Sequence, residues 1–483
     1  METRIHMSRR LIVPAIVLLL LAGATLGWST LGSRSQAASV PSAQGRQLLD
    51  AVVAQVKTTY IKRDVAESQL YVAATKALLD EAGAACAKLV AEPPPAGGDV
   101  RGRFYAMLTR VEERCPAPGR TADELFLAAA KGMFDSLGDQ YTRLMEPGAY
   151  KMFLQDTQGF FSGIGIYIDV RDDYPLVVQP INNTPASKAG LRAGDRIVVV
   201  DGVATKGMSL QEAVTRIRGP QGTTVRLRLR RADEDFDVSI VRARIQIVAA
   251  EGPEGLDAAT RAELTRERIG YVKLVTFNHE RADEEFDRFV TQARRAGAKA
   301  LIFDLRTNGG GLLDQSIRIA SRFLPTGQPI LHVYDRNGRR DTERARRVAK
   351  INLPTVVLVN EFSASASEIV AGALQDSGTA TIVGVRTFGK NLIQSIIDLP
   401  MNAGAAITSA KWLTPKGQDI SGKGLIPNIV VGEREETLRQ RLKGRPDAEV
   451  ERRIEQMRAD QLKKAIEILK KKLQRSERLA PAA

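Results

Sequence analysis

The hydrophobic pattern changes period along the chain. From 45 to 155 apolar residues recur at helical spacing. The stretch 123–137 (DELFLAAAKGMFDSL) is the clearest case, with Thr121 placed to cap its start. From about 160 to 245 the period shortens. Short β-type runs at 164–170, 175–178, 196–200 and 224–229 surround one helical piece, 209–218. Asn182-Asn183, Ala193-Gly194-Asp195, Asp201-Gly202 and Gly219-Pro220 mark turns between them. From 265 to 430 the apolar runs become continuous, at 269–277, 300–305, 355–359 and 380–385. Strands covered on both faces read this way. Beyond about 433 the chain is charged, but Ile454, Met457, Leu462, Ile466, Leu469 and Leu473 fall on one helical stripe. That stripe predicts a helix packed on the body or on another subunit.

The predicted architecture is multidomain α/β. A helical N-terminal region spans 45–155 and a β-rich domain spans 158–245. An α/β domain covers 246–432, with 120–155 packing on it, and a charged helical tail covers 433–483. The length of 483 residues fits two to four domains.

Composition narrows the function. Apolar residues make up 43% and charged residues 26%, an ordinary globular balance. The net charge of +14 would suit nucleic acid, anionic lipid, cell-wall polymer or an acidic partner. There is no nucleic-acid motif, and aromatics are only 5%, so no nucleic-acid partner is expected. Arg4, Arg9 and Arg10 precede an apolar run at 11–27, and small residues follow at 22–24 and 35–37. Segment 1–37 reads as an export signal to the periplasm or cell envelope, or, uncleaved, as an inner-membrane anchor. Cys86 and Cys115 either pair in an oxidising compartment or stay as two partly buried thiols. The histidines are His6, His279 and His332, without paired-ligand spacing, so no metal or other cofactor is expected.

Active sites in parallel sheets lie beyond the carboxyl ends of the strands. Two loops fall there. The first is Asn308-Gly309-Gly310-Gly311, and the second leads into 362–369 (FSASASEI). A serine at a helix start sits near backbone N–H groups and the positive end of the dipole, a setting that stabilises an oxyanion. Ser365 and Glu368 also form the capping box S-x-x-E, which needs no catalysis. A third segment, 384–391 (GVRTFGKN), follows the phosphate-loop pattern until Asn391, which replaces the required Ser or Thr. The following residues, 392–399, read as a strand rather than a helix, so a nucleotide-binding loop is disfavoured. Lys390, near apolar Phe388, would be desolvated and able to accept a proton. Gln394 lies four residues on, on the same face of an extended segment, and could orient the amine. With histidine scarce, Ser365 and Lys390 offer a serine–lysine nucleophile and base. The backbone N–H of Ala366 and one from Gly310-Gly311 would hold the oxyanion.

Together 304–311 (DLRTNGGG), 363–369, Thr387-Phe388-Gly389-Lys390, Gln394 and 414–417 (TPKG) resemble the carboxyl-terminal processing (tail-specific) proteases. The resemblance covers roughly 120–432. It implies a crotonase-like α/β serine protease domain with Ser365 as nucleophile, Lys390 as base and Gln394 as third member. It also implies a PDZ domain between the helical and protease parts, supported by 185–202. There 161–166 (FSGIGI) resembles the carboxylate-binding loop, centred on Gly163, Ile164, Gly165 and Ile166. Consecutive N–H groups would bind a chain-terminal carboxylate, and the substrate tail would add as a strand. The implied activity is a serine endopeptidase that takes protein or peptide substrates by apolar C-terminal tails and processes or degrades envelope proteins. The resemblance further implies a homo-oligomer, and an adaptor or activator protein as a further partner. An inactive PDZ peptide-binding adaptor is the alternative, disfavoured because Ser365, Lys390 and Gln394 are all present. The family usually has Pro at Gly309, Gly at Asn391 and Asp at Asn428. Asp376 is either a supporting residue or a plain helix end.

Overall fold

Continuous apolar runs build the centre of the molecule. The computed structural model describes residues 43–89, 99–115, 121–232 and 234–479; the predicted export segment lies outside them. Strands Ile269–Leu274, Ala300–Asp304, Thr355–Val359, Ala380–Gly384 and Ile429–Val430 run parallel in that order, and Ala250–Glu251 adds antiparallel at the edge. Every residue of Ala300–Asp304 and Thr355–Val359 is buried. Alternate side chains serve opposite faces. Leu301, Phe303 and Val357 face a core shared with helices Ala282–Arg295, Leu313–Ser321 and Ala366–Asp376. Ala300, Ile302 and Val356 face Leu462, Ala465, Ile466 and Leu469 of the long helix Asp447–Leu479. The apolar stripe of the charged tail is thus the cover of the sheet's second face.

A second, antiparallel sheet lies alongside. Its long strand Gly404–Leu413 pairs on one edge with Leu392–Asp398. On the other edge it pairs with Arg143–Met145 and then with Pro329–Asp335, which continues to Arg340–Arg344. The region 45–155 is therefore not wholly helical: a strand, Arg143–Met145, leaves it to join this second sheet. Helices Ala43–Thr59, Glu67–Ala82, Val100–Arg114 and Ala122–Asp135 pack on that sheet, with Phe104 and Phe126 sharing a core with Ala405 and Ile407. Thr121 caps the last of them in a full capping box with Glu124. Cys86 and Cys115 are disulfide-bonded, tying helix Ala84–Leu89 to the end of Val100–Arg114.

The β-rich domain hangs on a two-stranded neck, Phe160–Gly163 paired with Ala243–Gln246. Between them Ile166–Arg171, Tyr174–Pro180, Arg196–Val200, Thr224–Arg231 and Glu234–Val241 form an antiparallel sheet, with Ile166–Arg171 at one edge. Helix Leu210–Ile217, capped by Ser209, packs its Ile217 into the same core as Ile164, Val177 and Leu227.

Candidate active site

The two glycine- and serine-rich loops meet beyond the ends of the central strands. A Cβ on Gly310 would lie 2.7 Å from Ala364 O and 2.9 Å from Ser365 Cβ, so only glycine permits this approach. Ala364 N–H donates to Asn308 O at 3.1 Å. The three serines then separate by environment. Ser363 Oγ donates to Leu305 O and Ser367 Oγ to Asn308 O, both at 2.8 Å, and both residues are fully buried. Of the three, Ser365 lines a cleft of about 240 Å3 together with Ala366, Lys390 and Gln394.

The backbone at Ser365 has φ 54° and ψ −113°. An ordinary N-cap is extended. A non-glycine residue held at positive φ costs about 1–3 kcal/mol and is found where surrounding structure enforces it. Here that structure includes Glu368. Its buried carboxylate accepts Ser365 N–H at 2.9 Å, Thr387 Oγ1–H at 2.5 Å, Gly389 N–H at 2.6 Å and Lys390 N–H at 2.9 Å. Burial pushes its carboxyl upward, and the four donors oppose that by favouring the anion. The glutamate of the capping box therefore also anchors the lysine loop to the serine turn.

Lys390 is half-buried, and its Nζ sits 4.5 Å from the ring centre of Tyr141. Burial holds its ammonium below the ordinary lysine range; Arg143 adds repulsion, and Asp139 opposes both. Gly389 before it has φ 96°, and a Cβ there would lie 2.7 Å from Gly424 N. Asn391 after it donates from Nδ2 to Asp419 Oδ1 at 2.9 Å, so the departure from the family pattern makes a tether of its own. Gln394 lines the same cleft, but its amide Nε2 lies 3.4 Å from Thr408 Oγ1. Among the described residues no hydrogen bond joins it to Lys390, nor Lys390 to Ser365.

Two expected groups sit differently. Gly310 N–H is already engaged by Asn308 Oδ1 at 2.9 Å, while Asn308 Nδ2 donates to Leu274 O at 2.8 Å. This fold of the loop turns Gly309 and Gly311, rather than Gly310, toward the cleft. Behind the loop, Arg306 pairs with buried Asp304, which also accepts Tyr271 O–H at 2.9 Å. Arg306 Nη1 donates to Arg458 O at 2.7 Å and Gln461 Oε1 at 3.2 Å, so the C-terminal helix is fastened to the root of the loop. Asp376 Oδ2 accepts Lys416 N–H at 2.8 Å, pinning the 414–417 turn.

In the β-rich domain a groove of about 160 Å3 runs between the edge strand and helix Leu210–Ile217. Ile164, Gly165, Ile166, Ile168 and Val214 line it. Gly163 does not; it pairs with Ala243 in the neck. Gly165 has φ 83°, and a Cβ there would lie 2.4 Å from Thr184 Cβ. Arg218 borders the groove over the Phe161 ring and donates to Asp156 of helix Pro147–Thr157 at 2.8 Å.

Sequence reasoning missed Tyr141 and the wider role of Glu368. Glu368 was visible only as half of a capping box. Nothing local to Tyr141 signals a contact with a residue so far along the chain.

The family model for peptidase family S41 matches residues 268–431, and that for the PDZ domain matches 176–231. The chain is 37% identical over 308 residues to the carboxy-terminal processing protease CtpA of Bacillus subtilis, a match covering 64% of each protein. It is 38% identical over 316 residues to the carboxyl-terminal-processing protease of a Picosynechococcus species, covering 65% of this chain and 74% of the relative. A solved photosystem II D1 C-terminal processing protease aligns at a TM-score of 0.49 with 28% identity, over 80% of this chain and 93% of that one.

Proposed function

The chain belongs to the carboxyl-terminal-processing proteases of peptidase family S41, and from that premise we propose that it is a serine endopeptidase with Ser365 as nucleophile and Lys390 as base. One observation carries the assignment. Ser365, unlike Ser363 and Ser367, opens to a cleft that it shares with a desolvated lysine. A lysine whose charged form is disfavoured holds more neutral amine at a given pH than an exposed one. Neutral Lys390 takes the Ser365 hydroxyl proton as the oxygen attacks a peptide carbonyl. Ala366 N–H and an N–H of Gly309 or Gly311 are the donors left to the oxyanion, since Gly310 N–H serves Asn308. Lys390 then protonates the leaving amine, and water hydrolyses the acyl-enzyme.

The PDZ groove supplies the other half of the reading. Its walls are mostly apolar and it runs along Ile166–Arg171, a sheet edge unpaired among the described residues, which suits an apolar C-terminal tail added as a strand. The positive-φ turn at Gly165 offers backbone N–H groups for the terminal carboxylate. Envelope proteins are the substrate class that an export segment at 1–37 would bring within reach, and assembly through the helical ends is the expected oligomeric mode. The inactive adaptor is not favoured, because nucleophile and base occupy one cleft.

The test uses an unfolded protein substrate ending in apolar residues. Wild type should cleave it, and Ser365→Ala and Lys390→Ala should each lower kcat by about 10⁴-fold or more. The wild-type rate should climb with pH as Lys390 loses its proton, with a midpoint below the ordinary lysine value of about 10.4. Cleavage retained by both variants would overturn the assignment.

A further inference from the structure

Lys390 poses a positional problem. Four rotatable bonds carry its amine, and a base must present its lone pair to one oxygen. Gln394 was the expected guide, yet its amide is turned to Thr408. Among the described residues Lys390 makes no ion pair. The group its amine meets is the face of Tyr141, 4.5 Å from Nζ to the ring centre.

We propose that Tyr141 is the positioning residue for Lys390, its ring face holding the amine so that the lone pair is directed at Ser365. The inference rests on the serine–lysine reading above and adds to it a residue from the far side of the PDZ domain, outside the 268–431 family match.

The backbone that carries the ring is held in place. Tyr141 N–H donates to Asp139 Oδ1 at 3.0 Å, and Thr142 Oγ1 donates to Asp139 Oδ2 at 2.7 Å. Thr408 N–H donates to buried Thr142 Oγ1 at 3.0 Å. The next residue, Arg143, pairs in register with Ala406. The strand that receives Tyr141's segment is thus the strand that pairs with Gln394 opposite Thr408. Tyr141 and Lys390 converge on the cleft from the two edges of Gly404–Leu413.

The chemistry suits a base. A carboxylate beside Lys390 would fix the amine but would also favour its protonated form strongly. An aromatic face attracts N–H groups and ammonium only weakly. It therefore orients the amine with less bias toward the charged form than a carboxylate would impose, and it keeps water off one side. With N–H bonds on the ring, the lone pair of the neutral amine points away from it. The charged groups facing Lys390 are Arg143 and Asp139 on Tyr141's own segment; Glu368, on the nucleophile helix, holds its backbone N–H.

The test compares full-length Tyr141→Phe and Tyr141→Leu with wild type and Ser365→Ala. It measures kcat and KM across pH, and the rate at which a small fluorophosphonate labels Ser365. Tyr141→Phe keeps the ring and should stay within about twofold of wild type. Tyr141→Leu should lower kcat and the labelling rate by about 10- to 100-fold with KM little changed. Its rising pH limb should move down by about 0.4 to 1.5 pH units, because the protonated amine loses the ring face. If Tyr141→Leu does not fold, Tyr141→Met replaces it with the same expectation. The proposal is overturned if the ringless variant keeps wild-type kcat and pH limb, if its limb moves upward, if only KM changes, or if Tyr141→Phe loses as much as Tyr141→Leu. Failure of the underlying reading looks different: wild type then shows no lysine limb, or Ser365→Ala is labelled.

Discussion

At the scale of single residues, Glu368 is the most constrained group near the cleft. One carboxylate satisfies three backbone N–H groups and a hydroxyl from two separate loops. Glu368→Gln would keep one acceptor oxygen and turn an NH2 toward donors. Each buried donor left without a partner costs about 1–3 kcal/mol, and the Ser365 and Lys390 loops would part. We expect kcat to fall by about 10²-fold and the unfolding temperature to drop, read by steady-state kinetics and calorimetry. Because burial raises the folded pKa of Glu368, its own contribution to stability is full at low pH and is lost as pH rises through that raised value. The Gln variant should lack that slope; a variant with wild-type kcat and slope would remove Glu368 from this role. The choice of Ser365 among three alternating serines was legible only through resemblance. Its physical reason, the two flanking hydroxyls turned inward onto Leu305 O and Asn308 O, depends on a loop some sixty residues away.

At the scale of elements, legibility followed burial. Ala300–Asp304 and Thr355–Val359 are covered on both faces, so their sequences are apolar without interruption and read as strands. Arg340–Arg344 is mostly exposed and charged, and Arg143–Met145 is three residues long; neither carries a periodic signal. Gly404–Leu413 is rich in small residues because helices and three strands crowd it, and small side chains leave little pattern to read. The disulfide was open to either reading, since pairing needs two helix ends in contact. Replacing Cys86 and Cys115 together by Ser frees a loop of sequence separation 29. The chain-entropy relation gives a loss of about 3–4 kcal/mol for a loop of that size. Calorimetry should show the bundle melting earlier, while kcat at room temperature stays near wild type because the pair lies outside the cleft. An unchanged melting profile would mean the bond contributes nothing.

At the scale of the whole molecule, the PDZ and protease parts meet at a narrow neck. Gly159 has φ 84°, and a Cβ there would fall 1.7 Å from Nε2 of buried His279. Its carbonyl accepts Ile247 N–H at 2.9 Å and the Gln246 amide at 2.8 Å. Glu280 N–H donates to Thr157 O at 3.0 Å just beside it. Gly159→Ala must displace either the histidine or the neck, at a cost of about 2–4 kcal/mol. Limited proteolysis should then cut faster near 158–160 and 246–249; wild-type resistance would show that the neck absorbs the side chain.

Sequence alone determined what is local. Period marked the helices and the buried strands, because neighbours a few residues apart share one backbone geometry, and the spacing of the motifs pointed to Ser365, Lys390 and the PDZ loop through their resemblance to the family. The tertiary structure alone decided what depends on distant partners. It tied the Asn308 amide to Leu274, gave Gly163 to the neck, turned Gln394 toward Thr408 and set Tyr141 against Lys390. Hydrogen-bond partners and ring contacts of this kind are chosen by packing, where segments far apart in the chain compete for the same donors, and no spacing rule within one segment records the outcome.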